Sequence, residues 1–202
     1  LRPSDETHVY AFVGWQGRDG QTYVDELPAV TANTVFTAAY SSQKRTYTVT
    51  FSVLGNLTKV TVTAGEVPVY GGATTIEYDG KTYKIVGWDK PFAATYADTT
   101  YSAKLQTTGG EDVMTVNVTF AVESEQLTLA FPTGTSPRFF GTPYKKAAEH
   151  STFMFVGWQG EDGAKYAAGE TLPVLGSSDV TYTALFEEVI NTYKVRFCDY
   201  DG

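Results

Sequence analysis

The sequence predicts a mainly β chain with little helix, divided into tandem modules of about 70 residues. Three observations lead there. An aromatic strand ending in Gly-Trp occurs three times, at Tyr10–Trp15, Tyr83–Trp88 and Phe153–Trp158, and holds all three tryptophans. Stretches that alternate apolar and polar residues frame each copy, the period of a strand with one wet face. Aromatic residues are 14% of the chain, Thr and Val are frequent, and no stretch shows the period of an amphipathic helix.

Within each Gly-Trp strand, simple alternation divides the side chains between two faces. One face would carry Tyr10, Phe12 and Gly14 and the other Val13 and Trp15, with Tyr83, Ile85, Gly87 against Val86, Trp88, and Phe153, Phe155, Gly157 against Val156, Trp158. Two apolar faces predict a strand inside a sandwich or barrel, with the tryptophans in its core. The glycine before each indole predicts either a close approach by a neighbouring backbone or a bulge.

Taken in order, residues 1–45 form the later part of one module, 46–114 and 115–192 complete modules, and 193–202 the start of another. A turn at Pro3–Thr7 leads into the first Gly-Trp strand. Asp19-Gly20 and Asp162-Gly163 then mark a tight hairpin that the middle module lacks. A closing strand follows at Val35–Tyr40, Thr100–Leu105 and Thr181–Phe186. Polar linkers, Ser41–Arg45, Gln106–Asp112 and Glu187–Asn191, lead to the opening strands Tyr47–Phe51, Val116–Phe120 and Tyr193–Phe197. A second strand, Leu57–Thr63 or Leu127–Phe131, ends at a Gly-x-x-Pro turn whose following aromatic, Tyr70 or Phe139, is expected to plug the core.

The combination of Tyr-x-Val-x-Phe (Tyr47–Phe51, Tyr193–Phe197), Gly-x-x-Pro (Gly65–Pro68, Gly134–Pro137), the Gly-Trp strand and Thr-Tyr-x-Ala (Thr100–Ala103, Thr181–Ala184) resembles the internalin B-type, or Listeria-Bacteroides, repeat. The resemblance covers essentially the whole chain. It implies a β-grasp-like module strung along secreted or cell-wall-anchored bacterial surface proteins, extracellular, as a stalk or spacer near adhesion domains. Where the family often has Gly-Trp-Tyr, Gln16, Asp89 and Gln159 follow the tryptophans here, and the segment before the Gly-Trp strand is long and polar. Those departures place the match in a divergent subgroup. The family has no agreed catalytic residues to carry over.

Charge and chemistry narrow the function classes. Fifteen Lys and Arg against 23 Asp and Glu give a net charge of −8, so neither nucleic acid nor anionic membrane is expected as a partner. A lone cysteine, Cys198, cannot staple the fold. No apolar run approaches the ~18 residues of a membrane span and no signal peptide is recognised, so any anchor is expected outside this stretch. His8 and His150 sit at inequivalent places in the repeat, and no His, Cys or carboxylate spacing fits zinc. The Asp-Gly pairs, including Asp79-Gly80 and Asp201-Gly202, read as hairpin turns rather than calcium loops. Neither a catalytic residue, a metal nor a cofactor is expected, and the partners are neighbouring repeats. The alternative is a module that binds a host glycan or protein through exposed tyrosines, Tyr23 and Tyr166 at the inserted hairpin and Tyr96 elsewhere.

Overall fold

A computed structural model describes residues 2–198, which are all β: they hold thirteen strands and no helix. In order these are β1 His8–Gln16, β2 Thr22–Tyr23, β3 Thr37–Lys44, β4 Thr46–Val53, β5 Asn56–Thr63, β6 Thr75–Tyr78, β7 Lys81–Trp88, β8 Thr99–Thr107, β9 Thr115–Val122, β10 Glu125–Pro132, β11 Ser151–Gly160, β12 Lys165–Ala167 and β13 Val180–Ile190. They form open sheets of order β2-β1-β3, β5-β4-β8-β7-β6 and β10-β9-β13-β11-β12. The chain divides into two compact units, Leu1–Phe51 with Thr58–Gly72 and Asp89–Tyr101, and Ser52–Leu57 with Ala73–Trp88 and Ser102–Gly202.

The second unit contains the whole module 115–192. Its opening strand β9 turns into β10 through Glu123, whose φ of 56° suits a tight hairpin. Closing strand β13 runs parallel to β9, with Tyr182 opposite Phe120, and antiparallel to β11 on its other side. A parallel central pair flanked by antiparallel hairpins is the β-grasp strand order. Parallel strands need a crossover, usually helical. Here Gly134, Pro137, Gly141 and Pro143 punctuate the crossover between β10 and β11, and it stays irregular. Beneath the sheet Phe120 is fully buried, with Phe139, Trp158 and Tyr182 centred 5.4, 5.0 and 6.0 Å from its ring. Such aromatic pairs add about 0.5–1.5 kcal/mol each beyond the area they bury.

The first unit repeats this chemistry around Phe51, which meets Tyr70, Phe92 and Tyr101 at 5.2, 5.6 and 5.9 Å. Tyr70 and Phe139 thus plug their cores as the Gly-x-x-Pro turns predict. The polar stretch Ser41–Arg45 is not a linker. Strand β3 continues through Lys44 and β4 begins at Thr46, so one residue, Arg45, joins the two modules. Its N–H donates to the Thr7 carbonyl (2.8 Å), its carbonyl accepts from Ala64 N–H (2.9 Å), and its Nε donates to the Asp5 carbonyl (2.6 Å). Ladder bonds require no apolar side chain, which is why polarity alone misreads these residues. Glu187–Ile190 likewise belongs to β13 and pairs with Ser151–Met154.

Three further expectations need correction. The Gly-Trp strand has a bulge in every copy, between Phe12 and Gly14, Ile85 and Gly87, and Phe155 and Gly157. Val13, Val86 and Val156 are the extra residues, so the alternation shifts by one and the tryptophan rejoins the preceding aromatic's face. Phe155 and Trp158 accordingly meet edge to face at 5.2 Å, as Phe12 and Trp15 do at 5.5 Å. The sheets are open, and the strand needs no second layer. Second, Trp15 is not core: it is 42% exposed, whereas Trp158 is 7% and Trp88 half-buried. Among the described residues no opening strand pairs with β3 to supply a counterpart of Phe120 over the indole. Third, Tyr193–Phe197 is not a strand, for it has no ladder partner among the described residues. The turn expected at Asp201-Gly202 lies outside them.

Candidate functional site

The inserted hairpins position Tyr23 and Tyr166 identically. Gly14 and Gly157 have φ of 151°, and a Cβ on either would collide with the carbonyl oxygen of Tyr23 or Tyr166. The glycine is therefore the price of the short strands β2 and β12 crossing the bulge. Gly87 has no such φ and no such neighbour, because the middle module lacks that strand.

The two tyrosine rings are half-buried on the closing strand rather than free in solvent. Tyr23 stands edge-on to Phe36 at 6.0 Å, and Tyr166 edge-on to Tyr182 at 6.0 Å. The Tyr23 hydroxyl donates to Asp19 Oδ2 (2.6 Å), so it is engaged within its own hairpin. That bond pushes the Tyr23 pKa up and, with the Gln21 N–H, holds the Asp19 carboxyl below its usual range. Tyr96 is exposed, beside Gly65. Tyr23 and Tyr96 belong to the first unit and Tyr166 to the second.

A different cluster does come together, within the second unit. The hairpin β6–β7 turns at Asp79-Gly80, with φ of 51° and 71°, and presents Tyr78 to the next module. Tyr78 is buried against Phe131, centroids 5.9 Å apart, and its hydroxyl donates to the Ser136 carbonyl (2.6 Å). Ser136 N–H answers by donating to Asp79 Oδ2 (3.0 Å). Burial pushes the Tyr78 phenol up to about 12, partly opposed by the nearby Arg138 guanidinium. That guanidinium lies over Tyr78 (5.4 Å) and Phe140 (4.9 Å). Gly55, at the tip of β4–β5, packs so tightly on Phe131 that a Cβ there would collide with the ring.

Beside this clasp runs a groove of about 460 Å³, lined by Tyr78, Arg138, Phe139, Phe155, Trp158 and Glu170 among others. Its volume falls within the ~300–1,000 Å³ of small-molecule sites. Glu170 accepts the Ala167 N–H (2.8 Å) and orders the groove's rim. Ring faces, a guanidinium and a carboxylate can bind a ligand that is part apolar and part hydroxylated. Sequence reading missed this cluster. Its signal was Tyr78 directly before an Asp-Gly turn and Arg138 inside Pro137-Arg-Phe139.

His8 Nδ1 lies 2.9 Å from Thr7 Oγ1, and His150 is an exposed neighbour of Glu149. No group of three His, Cys, Asp or Glu that could hold a metal occurs among the described residues.

No protein-family model matches the chain, and no curated protein matches it. Among solved structures it is similar to domains 3–4 of the Streptococcal High Identity Repeats in Tandem (SHIRT) from a cell surface protein, at 13% identity and a TM-score of 0.26 over 72% of this chain and 99% of that one.

Proposed function

We propose that the chain is a non-catalytic tandem-repeat segment of a secreted or cell-wall-anchored bacterial surface protein, extracellular, serving as stalk or spacer for an adhesin. The module signature that resembles internalin B-type repeats supports this reading. The observation that carries it is the clasp at Tyr78. A spacer transmits position only if successive modules hold one orientation, and here a buried tyrosine, a carboxylate and a guanidinium of adjacent modules interlock. The single-residue junction at Arg45 works to the same end. Repeat arrays gain stability from such nearest-neighbour interfaces.

Backbone ¹⁵N relaxation on the 202-residue chain tests it. Amides of β6–β7 and β11–β13 should report one correlation time, and Tyr78→Ala with Arg138→Ala should split it while both modules stay folded. Independent tumbling in the unaltered chain would refute a rigid spacer. Recognition of a glycan or host protein is the second reading, and the groove at Trp158 favours it more than Tyr23 or Tyr166 does. Under that reading a saccharide would quench Trp158 fluorescence, and Arg138→Ala would abolish the effect.

A further inference from the structure

The groove beside the clasp is assembled from two separate stretches of the second unit. The β6–β7 hairpin supplies Tyr78 and Asp79, and the crossover and strands between β9 and β13 supply Arg138, Phe155, Trp158 and Glu170. Its floor is aromatic: Tyr78 and Trp158 are buried while Phe139 and Phe155 are half-buried, so ring surface remains open to the groove. Its rim is polar, exposed and only partly engaged. Asp79 gives Oδ2 to the Ser136 N–H and Glu170 gives Oε2 to the Ala167 N–H, whereas Oδ1 and Oε1 accept no hydrogen bond among the described residues. Arg138 forms neither a hydrogen bond nor an ion pair with those residues, and ring contacts alone hold its guanidinium over Tyr78 and Phe140.

This combination selects against a charged ligand. An anion would meet two carboxylates for one guanidinium, on a chain whose net charge is already −8. A cation would leave every N–H of Arg138 unanswered and stand near a like charge. A hydroxyl both donates and accepts, so neighbouring hydroxyls can take N–H bonds from Arg138 and give O–H bonds to Asp79 and Glu170. The C–H face of a pyranose ring is apolar and packs on an aromatic ring.

We propose, resting on the recognition reading of this groove and not on the spacer reading, that it is a composite site for an uncharged pyranose residue. Arg138, Asp79 and Glu170 hydrogen-bond its hydroxyls, and Phe155 with the edge of Trp158 contacts its ring. The site is incomplete without the β6–β7 hairpin, so a bound sugar bridges the two stretches that the Tyr78 hydroxyl already joins. A ligand that binds only the joined arrangement stabilises it.

The test titrates the ¹⁵N-labelled 202-residue chain with methyl glucoside, methyl galactoside, methyl mannoside and N-acetylglucosamine to tens of millimolar, with glucuronate and glucosamine as charged counterparts. At least one neutral sugar should shift the Trp158 indole and Arg138 Nε signals saturably, while the indole of Trp15, which is 42% exposed, stays in place. At saturation the Ser136 amide should exchange more slowly with solvent. Asp79→Asn and Glu170→Gln each keep an acceptor for their backbone N–H and should each weaken binding about three- to tenfold. A shift confined to Trp15 is stacking on an exposed ring and overturns the proposal. Glucuronate or glucosamine binding as tightly as the best neutral sugar retains a recognition groove but overturns the uncharged class. No shift with any sugar removes the recognition reading itself, and the proposal with it.

Discussion

Replacing Gly157 by alanine isolates the reason for the glycine in the Gly-Trp strand, because Gly87 provides an internal control. At Gly157 the φ is 151°, and the added methyl would run into the Tyr166 carbonyl oxygen while coming within 3.0 Å of the Ala167 Cα. The obstacle is backbone, so it cannot rotate away, and β12 must separate from β11. A non-glycine residue held in such a φ costs about 1–3 kcal/mol. Overpacking adds about 1–3 kcal/mol. The expected loss is therefore roughly 2–6 kcal/mol, a large share of the ~5–15 kcal/mol that holds a domain together. Gly87 has nothing within 4 Å and no positive φ. Alanine there should change stability by less than about 1 kcal/mol, in the favourable direction through the unfolded chain. Urea unfolding gives the totals, and hydrogen exchange resolved to β11–β13 assigns the loss to the right module. If Gly157→Ala is as mild as Gly87→Ala, the passing strand is not what requires the glycine. If Gly87→Ala is equally damaging, the requirement belongs to the bulge itself.

Two predictions concern protons. Burial raises Tyr78 to about 12 from an unfolded value of 10.0. A raised pKa contributes stability that is complete below pH 10 and lost as pH climbs towards 12, so the chain should weaken across that window and Tyr78→Phe should flatten the loss. Near neutrality Tyr78→Phe removes the bond to Ser136, at about 0.5–1.5 kcal/mol by thermal melting; an unaltered alkaline limb would sink the burial argument. At the acid end, the backbone N–H of Asn117 and then its amide hold Asp179 below its ordinary 3.8. A lowered pKa gives stability present above pH 4 and lost as pH falls through the folded value. Asp179→Asn should flatten the acid limb of the unfolding profile, and a limb of unchanged steepness would mean that the clamp is silent.

Much of this fold was legible because repetition gave every reading two or three trials. Opening strands, closing strands, Asp-Gly turns and the plugging aromatics all carry local signals, period two or a turn residue with the required φ. The faces of the Gly-Trp strand were not legible. A bulge inserts one residue without changing composition, and the sequence Phe-Val-Gly-Trp supports straight alternation equally well. Strand β6 was hidden for another reason: Thr75–Tyr78 is short, and its pairing to β7 is stated only by the Asp79-Gly80 turn. The groove was least legible, since Arg138, Trp158 and Tyr78 are far apart in sequence and meet only through the clasp.

The same Gly-Trp sequence gives a buried indole in one module and an exposed one in another, which shows where a module's core resides. Trp158 is covered by Phe120 and Phe139, residues that precede it by 38 and 19 positions. The ladder that holds the strand, by contrast, is nearly identical around Trp15 and Trp158. Local pairing therefore builds the sheet, and the opening strand converts it into a core. Each large aromatic moved from half-exposed to buried contributes on the order of 1–2 kcal/mol of transfer energy, and for Trp158 the opening strand supplies that cover through Phe120.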